Sequence, residues 1–276
     1  MLKRFNMQHA VPAKTPLPHS LPLLIAIPHD CRCDQLEYTE IMGSLNHLAV
    51  YSRPDIAFAL STHSQFNSDP TTMHLQAARH VLRYYLLNTA NYSITYSGSD
   101  LIIHGYADAN WGGDRNYRKS TTGYIFFANN GVISWTSYKQ TTVALSTMEA
   151  EYMLLSDSSR EAIARLQLFK DIHTYTDIPT IFSDNQGALT IATNPTDHQH
   201  AKHIDIRYHF IHNCLQNNRI LIDYVPTTSQ TADILTKALP PILHARNIAL
   251  VNLPIHHFQF HSFFGSKLKR RKECWI

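Results

Sequence analysis

One stretch, Leu101 to Tyr152, limits the fold more than any other: LIIHGYADANWGGDRNYRKSTTGYIFFANNGVISWTSYKQTTVALSTMEAEY. Its first part, Leu101 to Asp108, is rich in Leu, Ile and Tyr and reads as a strand. Two further strands, Gly123 to Ala128 and Val132 to Ser137, flank Asn129-Asn130-Gly131, a strong hairpin signal. A long helix begins at Thr147 and runs to about Thr174, with Leu155, Ala162, Leu166 and Phe169 on one stripe suited to packing across a sheet. Such a chain carries Asp108 at the end of a strand and Glu149 in the first turn of a helix, so both carboxylates stand on rigid elements.

Two carboxylates hold a hard divalent cation only if further oxygen ligands converge on them. Asp184 qualifies, because it follows the apolar run Thr180-Ile181-Phe182-Ser183 and precedes Asn185-Gln186-Gly187, where a strand gives way to a helix. Asp233 qualifies too, in the first turn of a helix after the strand Ile220 to Val225. Each acid also has a plainer reading. Ser146-Thr147-Met148-Glu149 fits a capping box, Asp233 suits a helix dipole, Asp184 can cap the helix that begins at Asn185, and Asp108 can be a turn acid.

The motifs YADANWGGDRNYRKSTTGY, STMEAEY, SDNQGA, KHIDIRYHF and TADILTK, in that order, resemble the ribonuclease H domain of copia-type LTR retrotransposon Pol polyproteins. Upstream, RFNMQHAVPAKTPLP, YTEIMGSLNHLAVYSRPDIAFALS and AARHVLRYYL resemble the thumb and connecting segment that end the reverse transcriptase of the same polyproteins. The resemblance covers roughly residues 1 to 240. It implies an α/β fold, a ribonuclease H-like mixed sheet flanked by helices, behind a small, mostly helical reverse-transcriptase remnant. It also implies a Mg²⁺-dependent endonuclease, with Mn²⁺ as the alternative ion, that hydrolyses the RNA strand of RNA–DNA hybrids. Asp108, Glu149, Asp184 and Asp233 would be its metal ligands. Glu151 lies two positions past Glu149, about 200° around the helix, and is left outside the site. Asn110 stands where the family commonly has a second Asp.

Arg115, Arg118 and Lys119, with the hydroxyl of Ser120, suit phosphate contacts, which position a nucleic acid without specifying it. Asn185 and Gln186 suit a ribose 2′-hydroxyl or a minor-groove base edge; their competing role is helix capping. No Tyr-x-Asp-Asp polymerase motif and no protease or integrase signature is found. The expected partners are an RNA–DNA hybrid and other parts of the polyprotein. The competing reading is a catalytically inactive or repurposed retroelement fragment that binds nucleic acid or only folds.

With 44% apolar and 16% charged residues the chain can bury a conventional core, and a net charge of +3 permits a nucleic-acid partner without demanding one. The expected division is a Pro-rich, extended or loosely packed leader over 1–35, a helical segment over 36–97, the ribonuclease H-like domain over 98–240, and a basic, aromatic, poorly ordered tail over 241–276. Tyr92 to Tyr96 is expected as a short strand leading into the central stretch. Cys31, Cys33, Cys214 and Cys274 form neither a zinc set nor a disulfide framework, and the run His198, His200, His203, His209 and His212 matches no known zinc spacing. No apolar run reaches the roughly 20 residues of a membrane helix. Three prolines before His19 argue against a mitochondrial transit peptide, so a cytoplasmic or nuclear setting is expected over a mitochondrial one.

Overall fold

A five-stranded mixed sheet organises the chain. The computed structural model describes residues 3–18, 23–89, 92–97, 101–172, 177–193 and 202–253, without the side chains of 86–88 and 202–205. Three helices come first: α1 (Gln35–Tyr51), α2 (Ala57–His63) and α3 (Thr72–Asn88). The hairpin strands β1 (His104–Asn110), β2 (Thr121–Ala128) and β3 (Gly131–Lys139) follow, then α4 (Thr147–Ile172), β4 (Thr180–Ser183), α5 (Gln186–Thr193), α6 (Lys202–Gln216), β5 (Leu221–Tyr224) and α7 (Pro241–Leu250). The strand order is β3-β2-β1-β4-β5. β2 is antiparallel to both neighbours, while β4 is parallel to β1 and to β5.

Local chemistry explains the central pieces. Asn129 and Asn130 take φ values of 49° and 58°, the left-handed pair that a two-residue hairpin turn requires, and Asn accepts them at low cost. Along β2 the side chains alternate across the sheet. Tyr124 and Phe126 join one core with Ala107, Leu154, Leu155, Ala162 and Ile181 under α4. Ile125 and Phe127 join a second core with Ala232, Ile234, Leu235, Leu239 and Ile248. The period of two in the strands and the apolar stripe on α4 therefore cover the sheet on both faces. This is the expected ribonuclease H-like α/β arrangement.

Several expectations are corrected. Tyr92 to Tyr96 pairs in no ladder; it runs as irregular chain, with Tyr92 and Ile94 against the second core. The leader is not loosely packed, because Phe5, Ala13 and Leu17 are buried with Tyr38, Ile41, Leu45 and Leu82 of α1 and α3. The start of the expected tail is ordered. Pro241 opens α7 at a position where its missing N–H costs nothing, and Ile248, Val251 and Leu253 lie in the second core. The basic run Lys267 to Lys272 lies outside the described residues, as do His198 and His200, and the side chain of His203 is also outside them.

The helical segment is fastened to the sheet edge. The Trp135 indole on β3 donates to the Ala49 carbonyl of α1 at 2.7 Å. No described helix is long and apolar enough to cross a membrane.

Candidate active site

Register brings the first two acids together. β1 and β4 run parallel with Tyr106 beside Phe182, so Asp108 and Asp184, each two residues further on, emerge side by side at the carboxyl ends of the two strands. Such ends are where open α/β sheets place ligands. The third acid comes from α4, and it is Glu151. One carboxylate oxygen from each of Asp108, Glu151 and Asp184 lies within 4.8 Å of the others, the only such group among the described residues.

Glu149 is not in this group. Its Oε2 accepts from the Leu145 amide at 2.7 Å while its own amide donates to Ser146 Oγ at 3.1 Å. It therefore closes the start of α4, as the capping-box reading had it. Glu149 and Glu151 do point apart, but Glu151 is the one that faces the sheet, against the expectation that it lies outside the site. It lies four residues before Leu155, on the same stripe as Leu155, Ala162 and Leu166, and that stripe turns it toward the sheet.

The carboxylates are held firmly. Asp108 is 3% exposed and Glu151 5% exposed. Glu151 Oε1 accepts from the Ala109 amide at 3.2 Å, Asp184 Oδ2 accepts from Thr227 Oγ1 at 2.8 Å, and Asp108 Oδ2 accepts from the Thr236 hydroxyl. Asp233 sits in a short 3-10 turn, Thr231–Leu235, rather than an α-helix. It adjoins the group through Lys237, whose Nζ lies 2.6 Å from Asp233 Oδ1 and 3.2 Å from Asp108 Oδ1.

Gln230, fully buried, pins this turn to β1. Its Nε2 donates to the Ala107 carbonyl at 2.9 Å and its Oε1 accepts from the Ala232 amide at 3.2 Å. Asn110 ties the same region down by donating to the Thr236 carbonyl at 3.2 Å. Neither Gln230 nor Lys237 stood out in the sequence, although both flank Asp233.

Crowding of negative charge shapes the protonation of the site. Burial pushes the Asp108 carboxyl above its usual value, the Lys237 ammonium opposes this, and Asp233 adds to it. Burial pushes Glu151 well above its usual value, and the charge of Asp108 adds to it. Burial would lower Lys237, but Asp108 and Asp233 outweigh it and raise the ammonium instead.

The residues fit a hard divalent cation. Among the described residues Glu151 Oε2 is buried with no hydrogen-bond partner, which is costly unless a cation or proton compensates it. All three donors are carboxylate oxygens, the type Mg²⁺ and Mn²⁺ prefer.

The expected substrate contacts divide. Arg115 and Arg118 are exposed, and Lys119 is half-buried, in the loop between β1 and β2. Ser120 is corrected: it is fully buried and its Oγ accepts from the Gly112 amide at 3.2 Å, so it faces no substrate. Asn185 Oδ1 accepts from the Ala188 amide at 3.0 Å and caps α5, while Gln186 is exposed.

Gly123 lies opposite Asp108 on β2. A Cβ there would meet Thr236 Cγ2 at 2.6 Å and Leu235 Cβ at 2.8 Å, with the Leu235 carbonyl carbon at 3.2 Å. Gly123→Ala is therefore expected to push the Asp233 turn off the sheet and cost about 1–3 kcal/mol, read by urea unfolding. An unchanged midpoint would mean the turn yields freely.

Strand order, register and a buried carboxylate group at the ends of parallel strands define a ribonuclease H-like domain. No family model matches the chain. The retrovirus-related Pol polyprotein from transposon RE1 of Arabidopsis thaliana is 41% identical over 241 residues, 87% of this chain and 16% of that protein. That from transposon TNT 1-94 of Nicotiana tabacum is 36% identical over 245 residues, 87% of this chain and 18% of that protein. The chain belongs to the retrovirus-related Pol polyproteins of copia-type transposons. It spans less than a fifth of the length of those two relatives. Among solved structures, LC11-RNase H1, isolated from compost by a metagenomic approach, aligns with a TM-score of 0.38 at 16% identity, over 49% of this chain and 93% of that one.

Proposed function

We propose that the chain is a Mg²⁺- or Mn²⁺-dependent endonuclease that hydrolyses the RNA strand of RNA–DNA hybrids. The observation that carries this reading is the convergence of one carboxylate oxygen each from Asp108, Glu151 and Asp184, with Glu151 Oε2 buried and without a hydrogen-bond partner among the described residues. The substrate class follows from the resemblance of the five motifs and from kinship with Pol polyproteins. Asp108, Glu151 and Asp184 are the proposed ligands, with Asp233 beside them and Glu149 withdrawn to a capping role. Bound divalent ions would supply the charge that stabilises the attacking and leaving oxygens of a phosphodiester.

The chain's own residues do the positioning. Thr236, the Ala109 amide and Thr227 each fix one carboxylate, so the ligand oxygens are placed before any ion arrives. Arg115 and Arg118 stand exposed in the adjoining loop, available to phosphates on either side of the cut. Trp111 is half exposed and its indole donates to the Ala144 carbonyl at 3.0 Å. Held in this way, its ring offers a stacking face for a base or sugar beside the site.

The test is cleavage of an end-labelled RNA–DNA hybrid by the purified chain with Mg²⁺, Mn²⁺ or EDTA. Metal-dependent cutting confined to the RNA strand is the expected result. Binding of the hybrid with no cutting in either metal would overturn the reading in favour of a fragment that binds without catalysis.

A further inference from the structure

The loop between β1 and β2 is shaped by one side chain and fastened by another. Asp114 shapes it from within. Its carboxylate accepts from the Asn116 and Tyr117 amides at 3.4 and 2.8 Å and pairs with Lys139 on β3 at 2.9 Å. Arg118 takes a left-handed φ of 56°, and a Cβ added to Gly112 would stand 3.3 Å from its Nη2, so its guanidinium leans over the root of the loop. Asn116 faces the other way, toward the leader. Its Nδ2 donates to the Leu23 carbonyl at 3.3 Å and its Oδ1 accepts from the Ile25 amide at 3.0 Å. One carboxamide thus satisfies an acceptor and a donor of an extended chain, as a neighbouring strand would. His74, in the first turn of α3, completes the grip. Its Nδ1 accepts from the Thr71 amide at 3.0 Å, so the proton sits on Nε2, which donates to the Leu24 carbonyl at 2.9 Å. Leu24 and Ile25 stay 52% and 45% exposed, so apolar burial does not account for this grip.

We propose that Asn116 is a positioning residue: by clasping leader residues 23–25 it holds the tip of the β1–β2 loop, so that Arg115 and Arg118 meet the phosphates of a hybrid as a fixed pair. This rests on the nucleic-acid reading above. The gain is entropic. Exposed arginines on a loose loop lose backbone and side-chain freedom when they engage a phosphate, and a loop that is already held loses less. Asn116 touches no substrate itself; it acts through the two arginines. The leader thereby becomes part of the substrate grip, although Ile25 lies 91 positions before Asn116.

Binding of a labelled RNA–DNA hybrid to the full chain in EDTA, measured over a range of salt, tests this without any turnover. Asn116→Ala is expected to weaken binding about three- to tenfold and to flatten the salt dependence by about 0.9 in slope, the loss of one phosphate contact. Ile25→Pro removes the clasped amide from the leader side and is expected to do the same. The double variant is expected to lose no more than either single one, because both break one interaction. In a chain that already carries Arg115→Ala and Arg118→Ala, adding Asn116→Ala is expected to change neither affinity nor slope. A residue with only a structural role would move the melting point and leave the slope as in the wild type.

A wild-type salt slope in Asn116→Ala would overturn the proposal. Additive losses from Asn116→Ala and Ile25→Pro would overturn it as well, as would a further loss from Asn116→Ala once both arginines are gone. A wild type that binds no hybrid would instead sink the nucleic-acid reading and this proposal with it, a distinguishable result.

Discussion

Glu151→Gln is expected to lower hybrid cleavage by at least about 100-fold, because it removes a direct ligand where loss of mere supporting contacts already costs about 10- to 100-fold. Glu149→Gln is expected to stay within about threefold of the wild type, since its carboxylate serves the start of α4. The pair isolates position, because both substitutions remove one negative charge from the same helix two residues apart. Equal losses, or wild-type cutting by Glu151→Gln, would sink the assignment.

Stability should move the other way. Without metal, Glu151 is a buried acid beside Asp108 and Asp184, held well above its ordinary value of 4.5. The folded chain therefore binds a proton that the unfolded chain has released, and stability falls as pH rises from that ordinary value through the raised one. Glu151→Gln removes this slope. In EDTA near neutral pH it is expected to be more stable than the wild type by about 1 kcal/mol or more. Melting curves of both proteins from acid to neutral pH would read the difference. A gap that fails to widen with rising pH would show that Glu151 carries no such strain.

The hairpin was legible because Asn129-Asn130-Gly131 admits few backbones, and the start of α4 and the span of β4 were legible from the capping signal at Ser146 and the apolar run Thr180 to Ser183. Asp108 and Asp184 could be placed from one strand each, although only the parallel register, which sequence does not state, puts them side by side. The choice between Glu149 and Glu151 was decidable in principle. The apolar stripe on α4 runs through Glu151, whereas Ser146 lies at capping distance from Glu149. Gln230 and Lys237 were not legible, because their roles arise from residues more than 100 positions away. The order of 241–253 was hidden for a similar reason: α7 is held by a partner on α3.

That partner belongs to a buried network whose loss has the largest expected effect on stability. Arg53 and Asp55 form a bidentate ion pair at 2.8 and 2.6 Å, with side chains 2% and 0% exposed. Arg53 also donates to the Thr89 carbonyl and Oγ1, each at 2.7 Å, and lies over the ring of Tyr85 with Cζ 4.9 Å from its centroid. The Tyr84 hydroxyl donates to Asp55 at 2.7 Å and lies 2.9 Å from His244 Nε2 on α7. Burial opposes both charges, and their mutual attraction nevertheless holds Asp55 below the usual carboxylate range.

Asp55→Asn keeps the shape and leaves Arg53 buried without its counter-charge, so a loss of about 3–5 kcal/mol is expected. For a chain of this size that is a melting point lower by roughly 10 °C. Asp69→Asn, at the exposed Arg32–Asp69 pair, is the control and should barely move it, because solvent screens such pairs. Two buried histidines, His244 of this network and His63 beside Tyr38, set the response to acid. Burial lowers His244 to about 4 and His63 to about 3, against an ordinary 6.5. Unfolding below pH 6.5 therefore takes up protons, and stability is lost as pH falls toward those values. If Asp55→Asn melts with the wild type, the network does not hold α7 to the helical segment. If it melts early in one transition that includes the sheet, then residues 36–97, α7 and the sheet stand or fall together, and the helical segment is part of the scaffold that carries the site.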